Sequence, residues 1–114
     1  MQVNNNYQPN FRAGKITNSG LKVLSNRLPS GQFQKFVDRF VQRHKGSDYQ
    51  ITLGAGVGMK NRLDAMIDYG DKNFRYLEEG ILNALLTSPK RFMNKINRQI
   101  DKDVLSIAER GYLI

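Results

Sequence analysis

The sequence predicts an α+β domain, roughly β-α-β-β-β-α, in which a small antiparallel sheet of three to four strands is covered on one face by two long helices. Three observations lead there. Apolar residues recur at helical spacing over residues 33–41 and again over 92–108. Between them, 49–53 and 63–69 alternate apolar and polar residues with the strand period of two. The run Gly70-Asp71-Lys72-Asn73 supplies turn chemistry where a hairpin must reverse. The 114 residues suit one domain with one core.

The first ten residues are polar and rich in Asn and Gln, so they read as a flexible arm ahead of a single domain over 11–114. Phe11, Ala13 and Ile16 alternate with Arg12 and Lys15, which predicts a short strand at a sheet edge. From Asn18 the period changes. Asn18 or Ser19 is expected to cap a short helix carrying Leu21, Leu24 and Leu28, which Pro29 ends. Ser30 then caps a second helix with the full stripe Phe33, Phe36, Val37, Phe40 and Val41, and Gly46 stands where a left-handed C-cap belongs.

A strand follows at Tyr49, Ile51 and Leu53. It runs into Gly54-Ala55-Gly56-Val57-Gly58, either a loop or a small-residue continuation of the strand. Leu63, Ala65, Ile67 and Tyr69 form the next strand, and residues 74–77 return beside it after the turn. Gly80 breaks this pattern, and 81–86 suit a short helix. Ser88-Pro89 is a strong helix start, with an N-cap serine and proline at the first helical position. Phe92, Ile96, Ile100, Val104, Ile107 and Ala108 then keep one face apolar for about five turns, and Gly111 supplies the stop.

Composition excludes several classes of chemistry. The chain has no cysteine, which removes disulfides, thiolate metal sites and cysteine nucleophiles. Its one histidine, His44, leaves a histidine-based triad unsupported and a multi-histidine zinc site out of reach. Positioned at the end of a basic helix, His44 is expected to carry a charge that suits the helix dipole. No stretch approaches the ~18 apolar residues of a membrane span, and no apolar N-terminal segment marks a secretory signal. These features predict a soluble, cytoplasmic protein without membrane contact.

Charge is the informative remainder. The chain carries 18 Lys plus Arg against 10 Asp plus Glu, a net +8. Residues 1–62 hold ten of the basic side chains and only two acids, so the first half accounts for the whole excess. Lys35, Arg39 and Arg43 fall at i, i+4 and i+8 on one side of their helix. Arg91, Lys95, Arg98 and Lys102 form a second row along the last helix, with Lys90 at its first turn. Cations at a helix start oppose the dipole at a cost of a few tenths of a kcal/mol or more, so stability alone does not favour them. An anionic partner, held by these side chains and by free backbone amides, gives them a purpose.

Two other patterns are weaker. The glycines at 54, 56 and 58 followed by Met59-Lys60 suggest a phosphate loop, but the spacing is wrong and Asn61 replaces the Ser or Thr that holds magnesium. A glycine-rich hairpin with close backbone approach explains them. Asp64 and Asp68 share a strand face and, with Asp71, Glu78 and Glu79, put acids near one hairpin. Acids opposite an apolar face are what any half-solvated strand shows, so no catalytic residue, metal ligand or cofactor is assigned.

The order helix, three strands, helix over residues 30–107, with Lys90 and Arg91 opening the final helix, resembles the double-stranded-RNA-binding domain. That family places a third basic residue three positions after such a pair, whereas Lys95 comes one later. The family's histidine between its first two strands has no counterpart, because His44 precedes the first of the three strands. The early strand and the short helix before Ser88 also depart from the pattern. The resemblance implies an RNA ligand and is one of element order and charge placement.

Together these observations predict a small non-enzymatic binding domain engaging a polyanion, foremost nucleic acid, through its phosphate backbone rather than its sequence. Its expected contacts are Lys35, Arg39, Arg43, Lys60, Arg62, Lys90, Arg91, Lys95 and Arg98. The alternative is a protein-interaction module docking on an acidic protein surface with Tyr49, Tyr69, Tyr76 or Tyr112 as anchors. A hydrolase-like use of the acidic hairpin is the remote third option. The sequence assigns no oligomeric state, and whether the two basic helix faces form one patch is the question it leaves to the structure.

Overall fold

The computed structural model describes residues 14–58 and 60–111. The N-terminal arm, Phe11, Ala13 and the apolar residues 112–114 lie outside that range. In chain order the elements are β1 (Gly14–Ile16), α1 (Asn18–Arg27), α2 (Ser30–His44), β2 (Gln50–Ala55), β3 (Leu63–Gly70), β4 (Asn73–Glu78), α3 (Ile81–Leu86) and α4 (Pro89–Gly111). The architecture is the predicted α+β arrangement: a four-stranded sheet in the order β1-β2-β3-β4, with α1, α2 and α4 packed on one face.

One pairing differs from a purely antiparallel sheet. β2, β3 and β4 form an antiparallel meander, but β1 runs parallel to β2, with Ile16 opposite Leu53. The connection explains it: α1 and α2 carry the chain back across the sheet before β2 begins, and such a crossover sets neighbours parallel. Close approach makes this crossover fit. A Cβ on Gly20 would lie 2.8 Å from the carbonyl oxygen of Leu53, so α1 rests directly on the backbone of β2.

The core is assembled from the expected faces. Ile51, Leu53, Leu63, Ala65 and Ile67 point from the sheet towards Val23 and Leu24 of α1, Phe36 and Phe40 of α2, and Phe92, Met93, Ile96 and Ile100 of α4. Three sequence expectations need correction. Thr17, not Asn18 or Ser19, caps α1, its hydroxyl accepting from the Gly20 N–H at 3.0 Å. Ser30 is the first residue of α2 rather than its cap; Pro29 holds that place and makes no side-chain bond. Beyond Ile100 the packed face of α4 passes to Asp103 and the half-buried Ile107, which stand beside Tyr69 and Arg75 of the sheet, so Val104 and Ala108 of the apolar stripe are exposed.

The turns follow their residues. Asp71 and Lys72 both take positive φ, 51° and 65°, as a two-residue hairpin turn of the primed kind requires. Gly46 ends α2 at φ 70°. Gly54 and Ala55 complete β2, and the Gly56 N–H donates to the Arg62 carbonyl at 2.6 Å, closing the β2–β3 hairpin. The glycine run is therefore a strand end and a turn, with Gly54 placed against Asp64 across the ladder.

His44 is the largest departure from expectation. It is wholly buried, not a solvated cation at a helix end. Its ring stands edge-on to Phe40 and Tyr49, with centroids 5.0 and 5.7 Å away, and Nδ1 shares a hydrogen bond of 2.9 Å with the Tyr49 hydroxyl. Burial, and then the neighbouring Arg43 charge, lower its pKa to about 4, so the ring is neutral at pH 7. The unfolded chain takes up that proton near pH 6.5 and the folded chain only near 4, so stability falls as the pH drops through this window. In urea titrations of the native protein, roughly 3 kcal/mol should be lost between the two limits. His44→Gln should flatten that part of the profile, and an unchanged slope would contradict the assignment.

Candidate functional site

The long helices α2 and α4 lie side by side, and between them runs a cleft of about 660 Å³. Lys35, Arg39 and Arg43 project from one wall, one turn apart, because their i, i+4, i+8 spacing aligns them beside the buried Phe36–Phe40 edge of α2. Lys90, Asn94 and Asn97 form the opposite wall at i, i+4 and i+7. Gln32 and Gln42 add carboxamides to the α2 side, while Phe36, Phe40 and Met93 give the cleft an apolar floor. No acid lines it.

All four cleft cations are exposed, and none is among the ion pairs of the described residues. Those pairs are Arg27–Glu79, Arg62–Glu78 and Arg75–Asp103, each away from the cleft. Like charges one turn apart on a helix repel by about 0.2–0.5 kcal/mol per pair, so the α2 row slightly destabilises the empty cleft and an anion relieves it.

The walls are held from behind by a polar chain. From His44 the ring contacts pass through Tyr49 to Tyr69, with centroids 6.0 Å apart, and the Tyr69 hydroxyl donates to Asp103 of α4 at 2.8 Å. Arg75 of β4 donates twice to the same carboxylate, at 3.0 and 2.7 Å, and Gln99 once at 3.0 Å. Burial pushes the Asp103 carboxyl up, but the hydrogen bonds from Arg75, Tyr69 and Gln99 outweigh it and hold it below its ordinary value. Burial also raises the Tyr49 and Tyr69 hydroxyls, so both stay protonated. Tyr49 and Tyr69 are half-buried, with their hydroxyls engaged by His44 and Asp103.

Of the nine contacts expected from sequence, Lys35, Arg39, Arg43 and Lys90 converge on the cleft. Arg91, Lys95 and Arg98 are exposed on α4 but do not line it; at 3.6 residues per turn they point past its outer lip. Lys60 is exposed in the β2–β3 hairpin, elsewhere on the surface. Arg62 is engaged internally, donating to the Glu79 carbonyl at 2.7 Å and pairing with Glu78 at 3.6 Å. The backbone amides expected at the start of α4 are partly taken: those of Lys90 and Arg91 donate to the Oγ and carbonyl oxygen of Ser88. Side chains therefore carry the positive character there.

The acids of the β3–β4 hairpin disperse. Asp64 and Glu78 face each other on the outer side of the sheet, where the Tyr76 hydroxyl donates to Asp64 at 2.7 Å, and Asp68 accepts from the Gly70 N–H. Glu79 turns inward to Arg27. Among the described residues no group of three His, Cys, Asp or Glu side chains is placed to hold a metal ion.

Sequence reasoning missed the carboxamides and the apolar floor of the cleft. The signal for Asn94 and Asn97 was present in their shared face with Lys90, but nothing local marked that face as opposite α2. Comparison of the chain with protein-family models, curated proteins and solved structures finds no match. The likeness to the double-stranded-RNA-binding domain therefore stays one of element order. Among the described residues no helix is long and apolar enough to cross a membrane.

Proposed function

We propose that the chain is a non-enzymatic binding domain whose α2–α4 cleft engages a polyanion, with the phosphate backbone of nucleic acid as its principal ligand. The observation that carries this reading is the convergence of Lys35, Arg39, Arg43 and Lys90 on one cleft without a carboxylate among its lining residues. Phosphates satisfy such an array from any sequence, because each contact is electrostatic and releases condensed counterions. A cytoplasmic location is part of the same proposal.

The preparation itself tests it. Protein purified at low salt should carry nucleic acid, seen as excess absorbance at 260 nm, and should shed it at high salt. A preparation free of nucleic acid, with a protein partner that survives nuclease treatment, would contradict it.

That second outcome is the protein-interaction reading, and one surface favours it. Helix α3 buries none of its residues and exposes Ile81, Leu82, Leu85 and Leu86. Apolar clusters of this kind mark contact sites.

A further inference from the structure

We infer that the cleft takes single-stranded nucleic acid, with an unstacked base lowered between the two helices, rather than a duplex. This rests on the polyanion reading above and narrows it. Cations alone suffice to hold a duplex backbone, which offers phosphate and sugar to the surface and keeps its bases stacked within. The cleft contains more than cations. Its floor is the narrow edge that the core side chains Phe36, Phe40 and Met93 leave open between the two helices, and a phosphate gains nothing from an apolar surface.

An unpaired base matches both features. Its face is apolar enough to rest on such a floor, and its edge presents donors and acceptors together. The carboxamides of Asn94 and Asn97 stand on the wall beside Lys90, and a carboxamide both donates and accepts. Among the described residues Asn97 Oδ1 is buried with no hydrogen-bond partner, so this wall holds polar capacity that they do not use. Four cations along the rims then meet the flanking phosphates. A recess of about 660 Å³ is far larger than an ordered water needs and lies in the range of small-molecule sites.

The test is a fluorescence anisotropy titration of the whole chain at low salt with three labelled probes of equal length, about twelve nucleotides. These are a mixed-sequence RNA strand, the same strand lacking its bases, and a blunt RNA duplex. The strand with bases should bind at least about tenfold more tightly than the baseless one. It should also match or exceed the duplex, although the duplex carries twice the charge. Asn94→Ala, at an exposed position, should weaken the base-containing strand by about threefold and leave the baseless one unchanged. Equal affinity for strands with and without bases, or a preference for the duplex, overturns the inference while leaving the polyanion reading standing. Failure of all three probes to bind overturns both.

Discussion

Arg27→Met should lower the unfolding free energy by about 3–5 kcal/mol, because it breaks a buried ion pair and leaves one charge behind. Arg27 closes α1 and reaches beneath the hairpin to Glu79, whose side chain is 1 % exposed. The two groups meet through both terminal guanidinium nitrogens, Nη1 and Nη2, and both carboxylate oxygens, and Glu79 Oε1 also accepts from the Leu63 N–H at 3.2 Å. The same guanidinium donates to the carbonyls of Asn61 at 3.1 Å and Thr87 at 2.8 Å. One side chain therefore ties α1 to the β2–β3 hairpin, to the end of β4 and to both flanks of α3. Methionine keeps the apolar stem but leaves a buried carboxylate without its counter-charge, which is the costly half of breaking such a pair. Urea unfolding gives the number, and hydrogen exchange gives the location: α3, which buries nothing of its own, should lose protection first. The double variant Arg27→Met, Glu79→Met should recover much of the loss, because it removes the unpaired charge. A single-variant loss below about 1 kcal/mol would mean that water or rearrangement already satisfies Glu79.

Reversing Arg39 and Lys90 to glutamate, one cation from each wall, should weaken nucleic-acid binding by about a hundredfold at ~0.1 M salt and lower the salt slope by about two. Both side chains are exposed and make no hydrogen bond among the described residues, so circular dichroism and urea midpoints should stay close to those of the parent protein. The control is Lys60→Glu, which changes the net charge but lies in the β2–β3 hairpin outside the cleft. If the excess charge of the whole molecule attracted the ligand, Lys60 would matter as much per charge as Arg39. Cleft binding requires that it matter far less, since exposed charges farther apart than a Debye length of ~10 Å are screened.

Much of the fold was legible because apolar period and turn chemistry are local. The stripe from Phe33 to Phe40, the Ser88-Pro89 start and the Asp71-Lys72 turn each state their own element. The i, i+4, i+8 row of Lys35, Arg39 and Arg43 likewise declared a charged side of α2. Periodicity does not say how two elements are rotated against each other, however, and the cleft depends on that rotation. It brought Lys90 opposite Arg39 and turned Arg91, Lys95 and Arg98 away, although all four had equal standing in the sequence. The same limit hid Arg27 and Glu79, which meet across 52 residues of chain. Two local readings failed because tertiary contacts overrode them. His44 has the position of a solvated helix-end cation, yet Tyr49 and Phe40 draw it inside. Arg62 stands two residues after Lys60 next to a turn, yet Glu78 and the Glu79 carbonyl engage it. The parallel pairing of β1 was illegible for a third reason: a strand's own pattern does not record the direction of its neighbour.

The most direct measurement is the salt dependence of RNA binding by the intact chain, followed by anisotropy from low salt upward. With four cleft cations neutralising phosphates of a single strand, the logarithm of the binding constant should fall linearly with the logarithm of salt concentration at a slope of about −3. Arg39→Glu with Lys90→Glu should bring that slope close to −1. Absence of binding at low salt, or binding that does not weaken as salt rises, would contradict the assignment of the α2–α4 cleft to a polyanion.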